Sequence, residues 1–187
     1  MNMVRIGLDI SYNSTGLCII KETADNPIFY QISSFKQKHS ASVKFLTYDR
    51  RGTSDDFTEN ELNHIYDSEK LARLIIETIR KHVPKSEAIE FRIETPLNMA
   101  FLKRSMKYHS GNDMVIVNKI VTLFLTKMEN ASFKCLTVTK IKKAFSGKGN
   151  GKKDLMIETF KTKFPNFDYT GKYDDIVDAY ALASSEF

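Results

Sequence analysis

The sequence predicts an α/β domain built on a mixed five-stranded sheet, three antiparallel strands followed by parallel ones, with helices on both faces. Three observations carry that expectation. Three short strand-like segments follow one another before residue 36, helical and strand patterns alternate after residue 60, and no internal repeat or Pro/Ser/Gly linker interrupts the chain. A length of 187 residues suits one domain spanning 1–187, since single domains run to about 100–200 residues.

Taken in order, Val4 to Ile10 reads as a strand, and Gly16 to Lys21 as a second one across the polar turn Ser11-Tyr12-Asn13-Ser14-Thr15. Ile28 to Phe35 follows the Asp25-Asn26-Pro27 turn as a third. Residues 36–60 are polar and show no period, so a long connection is expected there. Leu62, Ile65, Tyr66, Leu71, Leu74, Ile75 and Ile79 make a helical stripe from Glu61 to His82 that stops before Pro84. Ala88 to Glu94 is the next strand, ended by Pro96. A loop with Phe101, Lys103, Arg104 and Lys107 leads to a helix from about Asp113 to Met128, whose stripe Met114, Val117, Ile120, Val121 and Leu125 faces the sheet. Phe133 to Val138 reads as a strand, Thr139 to Phe145 as a short helix, then a glycine-rich loop, a helix from Asp154 to Phe164 and a last one from Asp174 to Ser184.

Composition excludes several classes. With 42% hydrophobic residues, 13 Phe and 8 Tyr, the chain has material for a core and is not disordered or fibrous as a whole. Its longest apolar runs, such as Leu17 to Ile20 and Met114 to Val117, fall far short of the ~20 residues that span a bilayer. The amino terminus enters a strand pattern with no apolar signal segment, so a cytoplasmic protein, bacterial or in a virus-infected cell, is expected. Cys18 and Cys135 lie in apolar segments and read as reduced core thiols. The formal charge of +5 is unevenly spread: nine lysines between Lys134 and Lys163 face only Asp154 and Glu158, which makes that segment +7. Such a concentration suits a polyanion, or an ordinary solvated helix face.

Four carboxylates carry the chemistry. Asp9 lies inside the apolar strand Ile6-Gly7-Leu8-Asp9-Ile10, where an unpaired charge is costly, so it needs a metal or the N–H groups of the following turn. Glu94 ends the strand reached by the long helical crossover, which commonly returns beside the first strand and would bring Glu94 to Asp9; the alternatives are a solvated acid or a pair with Arg92. Asp175 and Asp178, three apart, share one helix face, where they would serve either a site or the helix dipole, with Asp174 as the N-cap. Ala179 and Ala183 let that helix approach a sheet. Four carboxylates make an all-oxygen donor set suited to Mg²⁺ or Mn²⁺ rather than zinc, and no His/Cys cluster competes. Two such ions ~3.5–4 Å apart activate water and stabilise the leaving oxygen in phosphodiester hydrolysis.

The β-β-β-α-β-α-β-α order is that of a ribonuclease H-like sheet, and the motifs resemble those of RuvC-type Holliday junction resolvases. Arg5-Ile-Gly-Leu-Asp9-Ile-Ser-Tyr-Asn-Ser-Thr-Gly16-Leu resembles the family's opening strand–turn–strand, Ile93-Glu94-Thr95 its second acid, and Asp175-Ile-Val-Asp178-Ala-Tyr-Ala-Leu-Ala its closing helix. The Lys140 to Lys153 segment, with its Gly147-Lys-Gly-Asn-Gly151 loop between lysines, resembles the segment that binds the junction. The resemblance implies a homodimer, a branched-DNA substrate, and Mg²⁺-dependent paired nicking of a four-way junction in DNA recombination and repair. It implies Asp9, Glu94, Asp175 and Asp178 as ligands of two Mg²⁺ per site, with Mn²⁺ as substitute, and Lys142 and Lys153 as phosphate contacts, joined by their neighbours Lys143 and Lys152. Lys103, Arg104 and Lys107 extend the basic surface, and Phe101 is set either to stack on an unpaired base or to pack in the core. The text after Glu94, Pro96-Leu97-Asn98, and the 36–60 stretch depart from the family pattern. The same acids would serve a nuclease for forks, flaps or RNA–DNA hybrids, and the lysines alone a catalytically idle branch-binding module.

Overall fold

A computed structural model describes residues 3–24, 26–51, 55–95 and 110–186. Its elements are β1 (Met3–Asp9), β2 (Ser14–Lys21), β3 (Ile28–Ser33), β4 (Lys44–Thr47), α1 (Phe57–Arg80), β5 (Ala88–Glu94), α2 (Ser110–Leu125), β6 (Ala131–Leu136), α3 (Val138–Ser146), α4 (Lys153–Lys163) and α5 (Asp174–Ser184). The strands form one sheet in the order β4-β3-β2-β1-β5-β6. β1 to β3 pair antiparallel, and β5 and β6 continue the sheet parallel to β1.

The described sheet therefore has six strands, not the expected five. The extra one, β4, lies in the stretch read as a connection and pairs parallel to β3 through Tyr30↔Lys44 to Ser33↔Thr47. Four residues are too few to display a period, and the buried side chains, Val43 and Tyr48, flank the strand instead of lying in it, so the pattern carries little signal.

Strand alternation sorts the side chains into two layers. Ile6 and Leu8 of β1, Leu17 and Ile19 of β2, Ile32 of β3, and Phe91 and Ile93 of β5 face α1 and α2, meeting Leu71, Ile75, Val117, Val121 and Leu125. Of the stripe expected on α2, Val117, Val121 and Leu125 are buried, whereas Met114 is exposed. On the other face Cys18 and Phe29 meet Phe160 of α4 and Ile176, Val177, Ala179 and Ala183 of α5. Phe29 and Phe160 sit edge to face at 5.9 Å. Cys135 corrects its assignment: it is exposed, because β6 is the edge strand.

α5 lies almost on the sheet because the residues beneath it lack side chains. A Cβ at Gly7 would overlap the Ala179 carbonyl oxygen, and one at Gly16 the carbonyl oxygen of Asp175. The far end of α5 is tied down by Arg92, whose Nη1 donates to the carbonyls of Ala183 at 3.2 Å and of Ser185. Arg92 also pairs with Glu90 at 2.6 Å rather than with Glu94. Asp174 is the first helical residue; Tyr173 occupies the N-cap position and makes no side-chain cap. Among the described residues no helix is long and apolar enough to cross a membrane.

Candidate active site

β1 and β5 run parallel as neighbours, paired up to Leu8↔Ile93, so the next residues, Asp9 and Glu94, end their strands side by side. Both are one residue past buried aliphatic positions, which turns them to the α5 face. The first turn of α5 crosses that same end of the sheet over Gly16, itself paired with Asp9. Two strand ends and a helix start thus converge, and each of the four carboxylates singled out in the sequence is there.

Their environments differ. The Asp9 carboxylate accepts no hydrogen bond from a described residue. Burial, then the charges of Asp178, Asp175 and Glu94, push its carboxyl up to about 8, against a weak opposing pull from Lys153. Burial and Asp178 also raise Glu94, partly offset by Lys142 and Lys153. Burial raises Asp178 despite its 2.7 Å hydrogen bond from Lys153 Nζ. Burial alone would lower the Lys153 ammonium, but Asp178, Asp174 and Asp9 outweigh it and raise its pKa. These shifts share one physical origin: negative charge has been gathered where water is scarce.

Asp175 is the best-held of the four. Its Oδ2 accepts from Ser14 Oγ at 2.5 Å and from Gln31 Nε2 at 3.3 Å, and Lys172 Nζ stands 3.3 Å away. Gln31 also donates to Ser14 Oγ at 3.2 Å. Neither Ser14 nor Gln31 is among the site residues expected from the sequence. Gln31 is a fully buried polar residue inside the strand Ile-Phe-Tyr-Gln-Ile-Ser, in phase with Phe29, and that breach of an apolar strand is the signal that could have found it.

The basic segment meets the acids in a cleft of about 190 Å³ lined by Glu94, Asp178, Lys142 and Lys153 over Ile141 and Met156. Thr137 caps α3 by accepting from Lys140 N at 3.4 Å, and Gly147, at φ 79°, ends it in a left-handed turn. Lys142 Nζ donates to Gly151 O at 2.9 Å, which holds the glycine-rich loop. Lys143 and Lys152 are exposed outside the cleft. Phe101, Lys103, Arg104 and Lys107, like Pro96 to Asn98, lie outside the described residues.

Among the described residues no three Asp, Glu, His or Cys side chains stand close enough to hold a metal ion. The protein's own pairings occupy the acids: Asp178 engages Lys153, and Asp175 engages Ser14, Gln31 and Lys172. The donor set nevertheless fits a hard divalent cation, being all carboxylate, crowded, and with Asp9 lacking a described hydrogen-bond donor.

Two solved structures align with nearly the whole chain. RuvC from Thermus thermophilus is 12% identical with a TM-score of 0.57, covering 97% of this chain and 91% of that one. RuvC of the same organism in complex with a Holliday junction substrate is 11% identical with a TM-score of 0.60, covering 97% and 90%. No protein-family model and no curated protein sequence matches the chain. The likeness shows the fold, which is ribonuclease H-like.

Proposed function

We propose that this chain is a divalent-metal-dependent DNA endonuclease that resolves four-way junctions by paired nicks, acting as a homodimer. The observation that carries the reading is the meeting of Asp9, Glu94, Asp175 and Asp178 at one end of a sheet whose fold is shared with RuvC over 97% of the chain, with Lys142 and Lys153 in the same cleft. Asp9, Glu94, Asp175 and Asp178 would hold Mg²⁺, with Mn²⁺ as substitute. Bound there, the metal supplies Lewis-acid stabilisation of the charge that develops as water adds to phosphorus and the P–O3′ bond breaks.

The protein's own groups have separable tasks. Asp9 and Glu94, on adjacent strand ends, supply rigidly placed carboxyl groups whose mutual repulsion is relieved by protons or, in their place, by a metal cation. Ser14 and Gln31 fix Asp175 through one oxygen and leave the other for a ligand. Lys153 neutralises Asp178 and, on release, would be placed to meet a substrate phosphate, while Lys142 steadies the loop beside it. With one such cluster of acids among the described residues, cutting two strands of a junction would take two copies of the chain.

Crowded acids with raised pKa values also argue against a binding module without catalysis, because they would repel phosphate and cost stability to no purpose. The test is a panel of junction, fork, flap, duplex and RNA–DNA hybrid substrates with Mg²⁺ or Mn²⁺. Symmetrically paired nicks in the junction, leaving 5′-phosphate and 3′-hydroxyl ends and lost in Asp9→Asn and Glu94→Gln, are expected. Undiminished cutting by either variant would overturn the reading, and preference for a fork or hybrid would reassign the substrate.

A further inference from the structure

The lysines of α3 and α4 approach the acids from the Glu94 and Asp178 side. A second cationic segment lies on the Asp175 side. Residues 27–48 contain Lys36, Lys38 and Lys44 and no acid. Phe35, Lys36, Lys38 and His39 are exposed, with Phe35 at 47% among the most exposed large apolar side chains described.

This segment is built onto the site. Ser34 N donates to Asn13 O at 3.2 Å, in the turn between β1 and β2 that follows Asp9. Its other end is clasped to the loop before α5: Ala41 N donates to Asp168 Oδ2 at 2.5 Å, Asp168 N donates to Ser42 Oγ at 2.8 Å, and the Ser40 hydroxyl donates to the Asp168 carbonyl. Lys172 N donates to Lys38 O at 3.3 Å, and Gly171, at φ 74°, has no room for a side chain against the Lys38 backbone. Lys172 Nζ in turn reaches Asp175. Lys38, Lys172 and Asp175 are therefore consecutive steps of one bonded path; Asp168, the acid in the clasp, is held ionised by N–H and hydroxyl donors from Ala41 and Thr170, which lower its pKa and tie its carboxylate into the clasp.

A phosphodiester held at the carboxylates continues in both directions along its strand. One direction meets Lys142 and Lys153. We infer that Phe35, Lys36, Lys38 and Lys172 form a second flank of the site that grips the same DNA strand beyond Asp175, the lysines on phosphates and Phe35 against an unstacked base. This inference rests on the nuclease reading for the choice of DNA as ligand, but not on whether the chain cuts.

The test uses the full chain and a synthetic four-way junction without divalent metal. Lys36→Ala/Lys38→Ala, at exposed positions, should melt with the wild type, weaken binding by about tenfold, and flatten the dependence of log K on log salt by roughly two, one for each phosphate left without its lysine. A benzophenone side chain introduced at Phe35 should crosslink to a different stretch of strand from one introduced at Lys148. An unchanged salt slope, or capture of the same nucleotides from both positions, would overturn the second flank. Wild-type protein that binds with both signatures but cuts no branched DNA would sink the nuclease reading and leave the flank standing.

Discussion

At the ends of β1 and β5, the two faces of the sheet are made by the same strands and do opposite things. Under α1 and α2 lie Leu8, Phe91 and Ile93, all at 2% exposure or less; one residue on, under α5, lie Asp9, Arg92 and Glu94. Strand parity lets a single run such as Phe91-Arg92-Ile93-Glu94 feed a hydrophobic layer and a charged site at once. The lesson is that stability and chemistry are separated here by one residue in sequence and by the thickness of the sheet in space. That separation can be broken by substitution on either face.

The largest expected effect is on the charged face. Asp9→Asn removes a proposed metal ligand worth several kcal/mol of transition-state stabilisation, a loss of at least about 10³-fold in nicking rate. The same change removes a crowded carboxylate, so the metal-free variant should melt at higher temperature near neutral pH. A single-turnover assay beside a thermal melt checks both, and loss of activity together with loss of stability would refute the division between faces. On the apolar face Phe91→Ala removes a fully buried ring stacked on Phe133 at 5.1 Å. It should cost ~3–5 kcal/mol of stability, or roughly 6–20 °C in melting temperature. Below the transition the rate per folded molecule should hold.

The partners of Asp175 lie between these extremes. Gln31→Leu or Ser14→Ala leaves the carboxylate in place but frees its orientation, and such supporting groups typically cost ~10–100-fold in metal affinity or activity. The expected signature is a raised Mg²⁺ requirement recovered in part at high Mg²⁺, measured by metal titration of the nicking rate. Equal loss at all metal concentrations would make Gln31 and Ser14 merely structural.

Much of this is legible in the chain. α5 begins and ends where the Asp-x-x-Asp pattern and the alanines place it, and β5 matches Ala88 to Glu94, because a long period and a sharp proline stop leave little freedom. The four acids are legible for a related reason: a charge such as Asp9 inside an apolar strand has few physical explanations. What stays hidden is pairwise and long-range. The bonds from Ser14 and Gln31 span 161 and 144 residues to Asp175, and the clasp on Asp168 spans about as far, so no local pattern marks them. β4 escapes notice because an edge strand of four residues, half-buried, shows neither alternation nor a continuous apolar run.

The most gradual effect, spread over several pH units, is a pH dependence. In the metal-free protein Asp9 titrates near 8 in the folded state instead of near its ordinary 3.8, with Glu94 and Asp178 shifted in the same direction. Between those values the native state holds more protons than the unfolded chain, so unfolding releases protons and rising pH favours it. The contribution is complete below the unfolded pKa and is lost as pH climbs toward 8, with a slope of at most about 1.4 kcal/mol per pH unit for one such group. Denaturant melts in chelator from pH 5 to pH 8.5 should therefore show a decline that Asp9→Asn flattens, and that saturating Mg²⁺ reverses by taking the place of the protons. A decline that persists in Asp9→Asn would assign it to other groups, and a rise with pH would mean that Asp9 is paired in solution by a cation of the protein itself, with Lys153 the nearest candidate.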